Sequence, residues 1–184
     1  MTPNTLAHRY SHWSIALHWL MAVLLVATAA TMELKGIYPK GSFERDLLMS
    51  FHYSLGLSIL TLVWLRLLAR ALGSTPAITP APPAWQEKLS KLVHLALYAL
   101  MIGLPLLGWL ALSAKGAPVT LPGGLALPLL PIAENKETAR WIKDLHETGA
   151  TVGYVLVGLH AAAALVHHYV QRDNTLLRML PGTR

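Results

Sequence analysis

Four stretches of this chain run for about twenty residues without Asp, Glu, Lys or Arg: Trp13–Met32, Leu47–Leu65, Leu92–Ala114 and Thr148–Gln171. A helix rises about 1.5 Å per residue and the hydrocarbon core of a bilayer is about 30 Å thick, so about twenty apolar residues make one crossing. Each stretch is closed by polar or charged positions: Glu33 and Lys35, Arg66 and Arg70, Lys115, and Arg172 with Asp173. The pattern predicts four membrane-spanning helices, with His146 two residues ahead of the last stretch on the same helix. The N-terminal stretch also carries the marks of a signal peptide: Arg9, the apolar run Ile15–Val26, then Ala27-Thr28-Ala29. His18 interrupts that run, which favours a first span.

The connections are unlike one another. Gly73–Trp85 holds Pro76, Pro80, Pro82 and Pro83 and reads as a stiff extended connector. Gly116–Ala133 is apolar, yet Pro118, Pro122, Pro128 and Pro131 with three glycines forbid a fifth spanning helix. It is expected to fold over one end of the bundle. With no room left for a large soluble domain, the expected fold is all-α: one integral membrane four-helix bundle over residues 1–184. No internal repeat and no motif of a soluble catalytic site stand out.

Four spans place both termini and the Pro-rich connector on one side. Arg9, Arg66, Arg70, Lys88, Lys91, Arg172, Arg178 and Arg184 lie there, eight cations against seven on the other side. Lys/Arg bias sets topology and acids count for little, so the margin is narrow. Only Glu87 and Asp173 are acidic on the terminal side, which tips the reading toward cytoplasmic termini.

Composition sharpens this picture. Hydrophobic residues make up 54% and charged residues 13%, the latter about half the share in soluble domains. The absence of cysteine excludes disulfides, iron–sulfur clusters, zinc–thiolate sites, thioether-attached haem and thiol catalysis. Nine histidines equal the sum of Asp and Glu, and ionisable groups inside hydrocarbon are costly and mark function.

Their depths follow from chain direction. With the first helix starting inside, His18 lies near the inner face, and His52, early in the second helix, near the outer one. His146 opens the fourth helix near the outer face. His160 follows fourteen residues later, about 21 Å along the axis and within about 40° of the same direction. The expected pairs are His18 with His160 and His52 with His146. Two separated pairs suit two bis-histidine b haems, each iron taking an axial nitrogen from either side and keeping no open position. Gly153, seven residues from both His146 and His160, leaves room for a macrocycle, or with Gly149 permits close helix packing. Arg66, fourteen residues after His52, is a candidate partner for haem propionates, since its fork matches a carboxylate; an anchor at the membrane face is the plainer reading. His8 and His12 precede the first span, and His94 could approach a haem or a quinone. His167 could exchange with His160 as ligand on spacing alone. With His168 it forms a polar cluster that could contact a quinone or a propionate.

The segments Ile15–Leu20 (IALHWL), FHYSLGLSIL followed by VWLRLLAR, Asp144–Tyr154 (DLHETGATVGY) and Gly158–Gly182 with its HxxxxxxHH pattern resemble the bacterial cytochrome b561 family. The resemblance runs from about Arg9 to Gly182, and no ligand position departs from the pattern. It implies four transmembrane helices holding two b haems on His18, His52, His146 and His160, in the bacterial inner membrane. It further implies electron transfer between a small periplasmic donor and ubiquinone, with superoxide oxidation (a superoxide:quinone oxidoreductase) as one such activity. An anionic donor would be drawn by a basic funnel, for which Lys115, Lys136, Arg140 and Lys143 are candidates. Glu134, Glu137, Asp144 and Glu147 among them weaken the idea, and solvated loop charge is the simpler reading.

Two other classes compete. A haem-bearing anchor subunit of a hydrogenase or formate dehydrogenase would use Gly116–Ala133 as a docking surface. A divalent-metal transporter would need several ligands at one depth, often with carboxylates, and no span holds Asp or Glu. The partners expected are the bilayer, a quinone and a small donor, with neither nucleic acid nor an obligatory protein partner.

Overall fold

The computed structural model describes residues 9–182, so His8 and Arg184 lie outside the described residues. Four long helices carry the fold: α1 His12–Leu34, α2 Phe43–Leu72, α3 Ala84–Ala114 and α4 Lys136–Val166. Each is long and apolar enough to cross a membrane. This is an all-α membrane bundle.

The helices overrun the charge-free stretches, and for α1, α2 and α4 a polar cap, rather than the first charge, decides where the helix begins, while α3 starts after Pro83 with no side-chain cap. Ser11 accepts from the Ser14 amide, Ser42 from that of Arg45, and Asn135 from those of Glu137 and Thr138. Such oxygens satisfy amides that have no partner inside the helix. Asn135 therefore starts α4 ten residues before His146. That extension, about three turns, buries Ala139 and Ile142 against Ala114.

α1 packs on α2, α2 on α3 and α3 on α4. The central contact is Met21, Ile59 and Val63, with Leu24, Leu25, Leu62, Tyr98, Met101 and Ile102 around it. Gly149 sets the α3–α4 approach: a methyl group there would stand 2.8 Å from Leu104 Cδ2. Outward residues such as Val23, Leu68, Leu95 and Val155 are exposed, with Trp13, Trp64, Trp85 and Trp141 toward the helix ends. Apolar side chains facing outward with indoles near the boundaries fit a lipid surround.

Gly116–Ala133 does fold over an end of the bundle. Its two short strands, β1 Val119–Thr120 and β2 Ala126–Leu127, pair antiparallel. β1 packs on α2 and buries Val119, while Leu125 and Leu129 remain exposed. Trp109 donates to the Pro128 carbonyl, and the Leu130 amide to Ser113 Oγ.

The chain from Gly73 to Pro83 is without helix or strand, as its prolines require. Its partner is a surprise: the C-terminal tail. After a π-turn at His167–Gln171, Arg172 takes a left-handed conformation with φ +57° and turns the chain back. Asn174 then exchanges bonds with Thr79, and Arg178, buried, donates to the Pro76 carbonyl. Trp19 of α1 donates to Met179 O at 2.7 Å.

Candidate haem sites

The structure brings the four singled-out histidines together as two pairs. The rings of His18 (α1) and His160 (α4) stand with centroids 6.2 Å apart and planes at 76°. Those of His52 (α2) and His146 (α4) stand 6.2 Å apart at 75°. A metal–nitrogen bond of about 2.0 Å on each side, with the imidazole radius added, gives roughly 6.3 Å between centroids for two coaxial ligands. Both pairs therefore have a separation compatible with a shared ion.

Each pair draws on all four helices. At the level of His52 and His146, the His146 Nδ1–H donates to the Leu104 carbonyl of α3 at 2.8 Å. His52 Nδ1 lies 3.4 Å from Thr31 Oγ1 and 3.5 Å from the Thr28 carbonyl, both on α1. A ring that donates from Nδ1 keeps its lone pair at Nε2 and has its orientation fixed, as metal-bound histidines require. Gly108 makes the α3 contact possible. A methyl group on Gly108 would meet His146 Cε1 at 3.3 Å and Nδ1 at 3.5 Å.

At the other level Arg66 of α2 places Nη2 2.9 Å from His18 Nδ1. A guanidinium only donates, so His18 accepts at Nδ1 here and carries its proton at Nε2. Coordination through Nε2 needs the reverse tautomer, so binding a metal that way requires Arg66 to release the ring. Arg66 and Arg70 share the wall of a small cavity with Tyr10, Ser14, Tyr98 and Met179. Among the described residues neither arginine has a carboxylate within 4.0 Å.

His94 of α3 also reaches this level, its ring 5.3 Å from that of His160. That is about 1 Å short of the coaxial separation, so geometry favours His18 as the partner of His160. His94 Nδ1 faces Ser90 Oγ at 3.3 Å. His167 is occupied elsewhere: its Nδ1 is 2.5 Å from Asp173 Oδ2. His168 meets Tyr169 edge-on at 4.7 Å, and His12 is exposed. Gly153 would place a methyl 3.7 Å from Leu100 Cδ1, an ordinary contact toward α3.

The residues invisible to sequence reasoning are Gly108, Leu104 and Thr28, because two of them act through main-chain oxygens. Pro105, inside α3, was no signal for them, since a proline frees the carbonyl four residues earlier, that of Met101 and not that of Leu104. Among the described residues no three His, Asp or Glu side chains converge as a metal cluster.

Two histidine pairs thus lie at two levels of a membrane bundle. Residues 9–182 match the family described as prokaryotic cytochrome b561. The chain belongs to that family. It is 42% identical over 174 residues to cytochrome b561 homolog 1 of Escherichia coli (strain K12), covering 95% of this chain and 98% of that one. Over 176 residues it is 38% identical to the probable superoxide oxidase CybB of Yersinia pestis, covering 96% and 98%. Cytochrome b561 homolog 2 of Escherichia coli (strain K12) is 29% identical over 174 residues. As a member of the b561 family the protein is a bacterial multi-pass membrane cytochrome of b type, with a role in electron transfer.

Proposed function

We propose that this b561 protein binds two haems, one between His18 and His160 and one between His52 and His146. We further propose that it passes electrons from a small periplasmic donor, superoxide, to ubiquinone. The observation that carries this reading is the pair of 6.2 Å imidazole separations on two levels of α4. Held there by His18 and His160 and by His52 and His146, haem b would supply reversible one-electron chemistry. In the overall reaction two superoxide anions lose one electron each and become dioxygen. One quinone gains those two electrons and two protons and becomes a quinol. In the bacterial inner membrane, with cytoplasmic termini, the His52/His146 level faces the periplasm.

The chain's own residues contribute ligands, orientation and exclusion of water. Leu104 and Thr28 hold the outer imidazoles by main-chain oxygens, and Arg66 offers a fork for propionates. Gly153 leaves α4 without a side chain between the two levels, and His167 and His168 sit at its inner end, where a quinone or propionate contact is part of this proposal. At the outer end Lys136, Arg140 and Lys143 recur at helical spacing along one face of α4. Lys143 is paired with Glu147 at 2.6 Å, and Lys115 caps the end of α3. Among the described residues Lys136 and Arg140 have no carboxylate within 4.0 Å, so these two of the three α4 cations are available to attract an anion.

The deciding measurement is the haem-to-protein ratio of detergent-purified protein, with a reduced-minus-oxidised visible spectrum. Two low-spin b haems per chain are expected, and one or none overturns the ligand assignment. Replacing Lys136, Arg140 and Lys143 together with Gln is expected to slow oxidation of superoxide about tenfold, the lower end of electrostatic steering. It should also flatten the salt dependence of that rate. An unchanged rate and salt profile would dismiss the funnel.

A further inference from the structure

The bundle is built as two helical hairpins. α1 packs most extensively on α2 and α3 on α4, and the join of α2 to α3 is slighter. Among the described residues α1 and α4 make at most a sparse contact with each other. Each histidine pair takes one ring from either half: His18 of α1 and His52 of α2 from the first, His160 and His146 of α4 from the second. Ring separation at both levels is therefore set by what holds the halves together.

Two bridges reinforce the α2–α3 join. At the His52/His146 end, β1 packs on α2. At the other end the C-terminal tail, continuous with α4, returns to the first half. Trp19 Nε1 donates to Met179 O at 2.7 Å, and the Tyr10 amide to Arg178 O at 3.3 Å. Trp19 directly follows His18, and its indole meets that imidazole edge-on, with centroids 5.4 Å apart and planes at 68°. The tail is anchored in turn on the α2–α3 connector. The Thr79 amide donates to Asn174 Oδ1 at 2.9 Å, and Asn174 Nδ2 to the Ala77 carbonyl at 3.3 Å. An indole near a helix end also suits the membrane interface. That role leaves its N–H to water or a headgroup, whereas here it is committed to a main-chain oxygen 160 residues away.

We propose that the C-terminal tail is a latch that closes the α1–α4 seam at the His18/His160 level, with Trp19 as the positioning residue through which it holds His18 opposite His160. This rests on the dihaem reading above and adds the device that retains the inner haem. With the latch closed, Met179 completes the wall of the small cavity that Tyr10, Ser14, Arg66, Arg70 and Tyr98 also line. With it open, the halves part at that end and His18 draws away from His160. Contacts that orient a metal ligand strengthen its hold, and differences of this kind appear chiefly in the dissociation rate.

The test is haem transfer from the loaded full chain in detergent to excess apomyoglobin, followed at the Soret band. The His146→Ala background reports the His18/His160 site alone, and the otherwise unchanged chain reports both sites. Trp19→Phe keeps an aromatic ring and removes the N–H. It is expected to speed loss from the His18/His160 site about fivefold, the weight of one net hydrogen bond. Asn174→Ala removes two tail anchors far from either ring of that pair and should speed the same loss. Both variants should leave the His52/His146 site at its wild-type rate. In the haem-free chain both should quicken tryptic cleavage after Arg172, which reports the tail directly. An unchanged rate in either variant, or equal acceleration at both sites, overturns the latch and spares the dihaem reading. A wild-type chain with fewer than two haems removes that reading and the latch with it. Should His146→Ala not fold, the same two variants in the otherwise unchanged chain decide by whether half of the haem leaves faster or all of it.

Discussion

His146→Ala is expected to halve the haem content of the purified protein and leave the second haem with its spectrum. The imidazole is held by a 2.8 Å bond to Leu104 O and faces His52 at 6.2 Å. No other described histidine is recorded against either ring of that pair, so nothing replaces the lost nitrogen. The inner pair stands on a separate turn of α4, fourteen residues on, or about 21 Å along the axis. His160→Ala is the reciprocal case and differs in one respect. His94 lies 5.3 Å from His160 and offers an imidazole at that level, so residual or altered inner haem is expected there, against clean loss in His146→Ala. Pyridine haemochrome assay with a difference spectrum checks both. Retention of two unaltered haems by His146→Ala would refute the assignment.

Arg178→Ala is expected to release the C-terminal tail and lower stability by about 2–3 kcal/mol. Arg178 is 6% exposed, and its guanidinium donates to the Pro76 carbonyl and lies 5.6 Å from the Tyr10 ring centroid. A buried acceptor left without a charged donor costs about this much. Among the described residues its Nε has no hydrogen-bond partner, which keeps the figure in the lower part of the range for buried charges. The signature to measure is a lowered thermal midpoint in detergent with faster proteolysis after Arg172. Arg178→Lys should recover only part of the loss, because an ammonium lacks the planar fork.

Asp173 adds a pH dependence to the same clasp. Burial tends to raise its pKa, but bonds from His167 and from the Thr175 amide and hydroxyl outweigh that and hold it below the ordinary 3.8. A depressed folded pKa means the stabilisation is complete at neutral pH. It begins to fade near 3.8 and is lost as pH falls through the lower folded value. Asp173→Asn should remove this acid sensitivity.

The four spans were legible because hydrocarbon tolerates so few charges that their absence over twenty residues has one common meaning. The histidine pairs were legible because chain direction converts sequence position into depth. The choice among histidines was not. Spacing of seven could not separate His160 from His167, and only the turn at Arg172, which commits His167 to Asp173, does so. His94 could not be ranked against His18 until ring separations of 5.3 and 6.2 Å were in hand.

By itself, then, the sequence determined an all-α membrane bundle and the order of the histidines along its helices, since these depend on periodicity and hydropathy along one chain. Tertiary structure decided what surrounds each pair: the Leu104 carbonyl reached across Gly108, the Arg66 guanidinium against His18, and the tail locked onto Pro76 and Thr79. Those contacts join residues 42, 48 and about 100 positions apart. They rest on main-chain oxygens and on how closely two helices approach, quantities that no local pattern of side chains encodes.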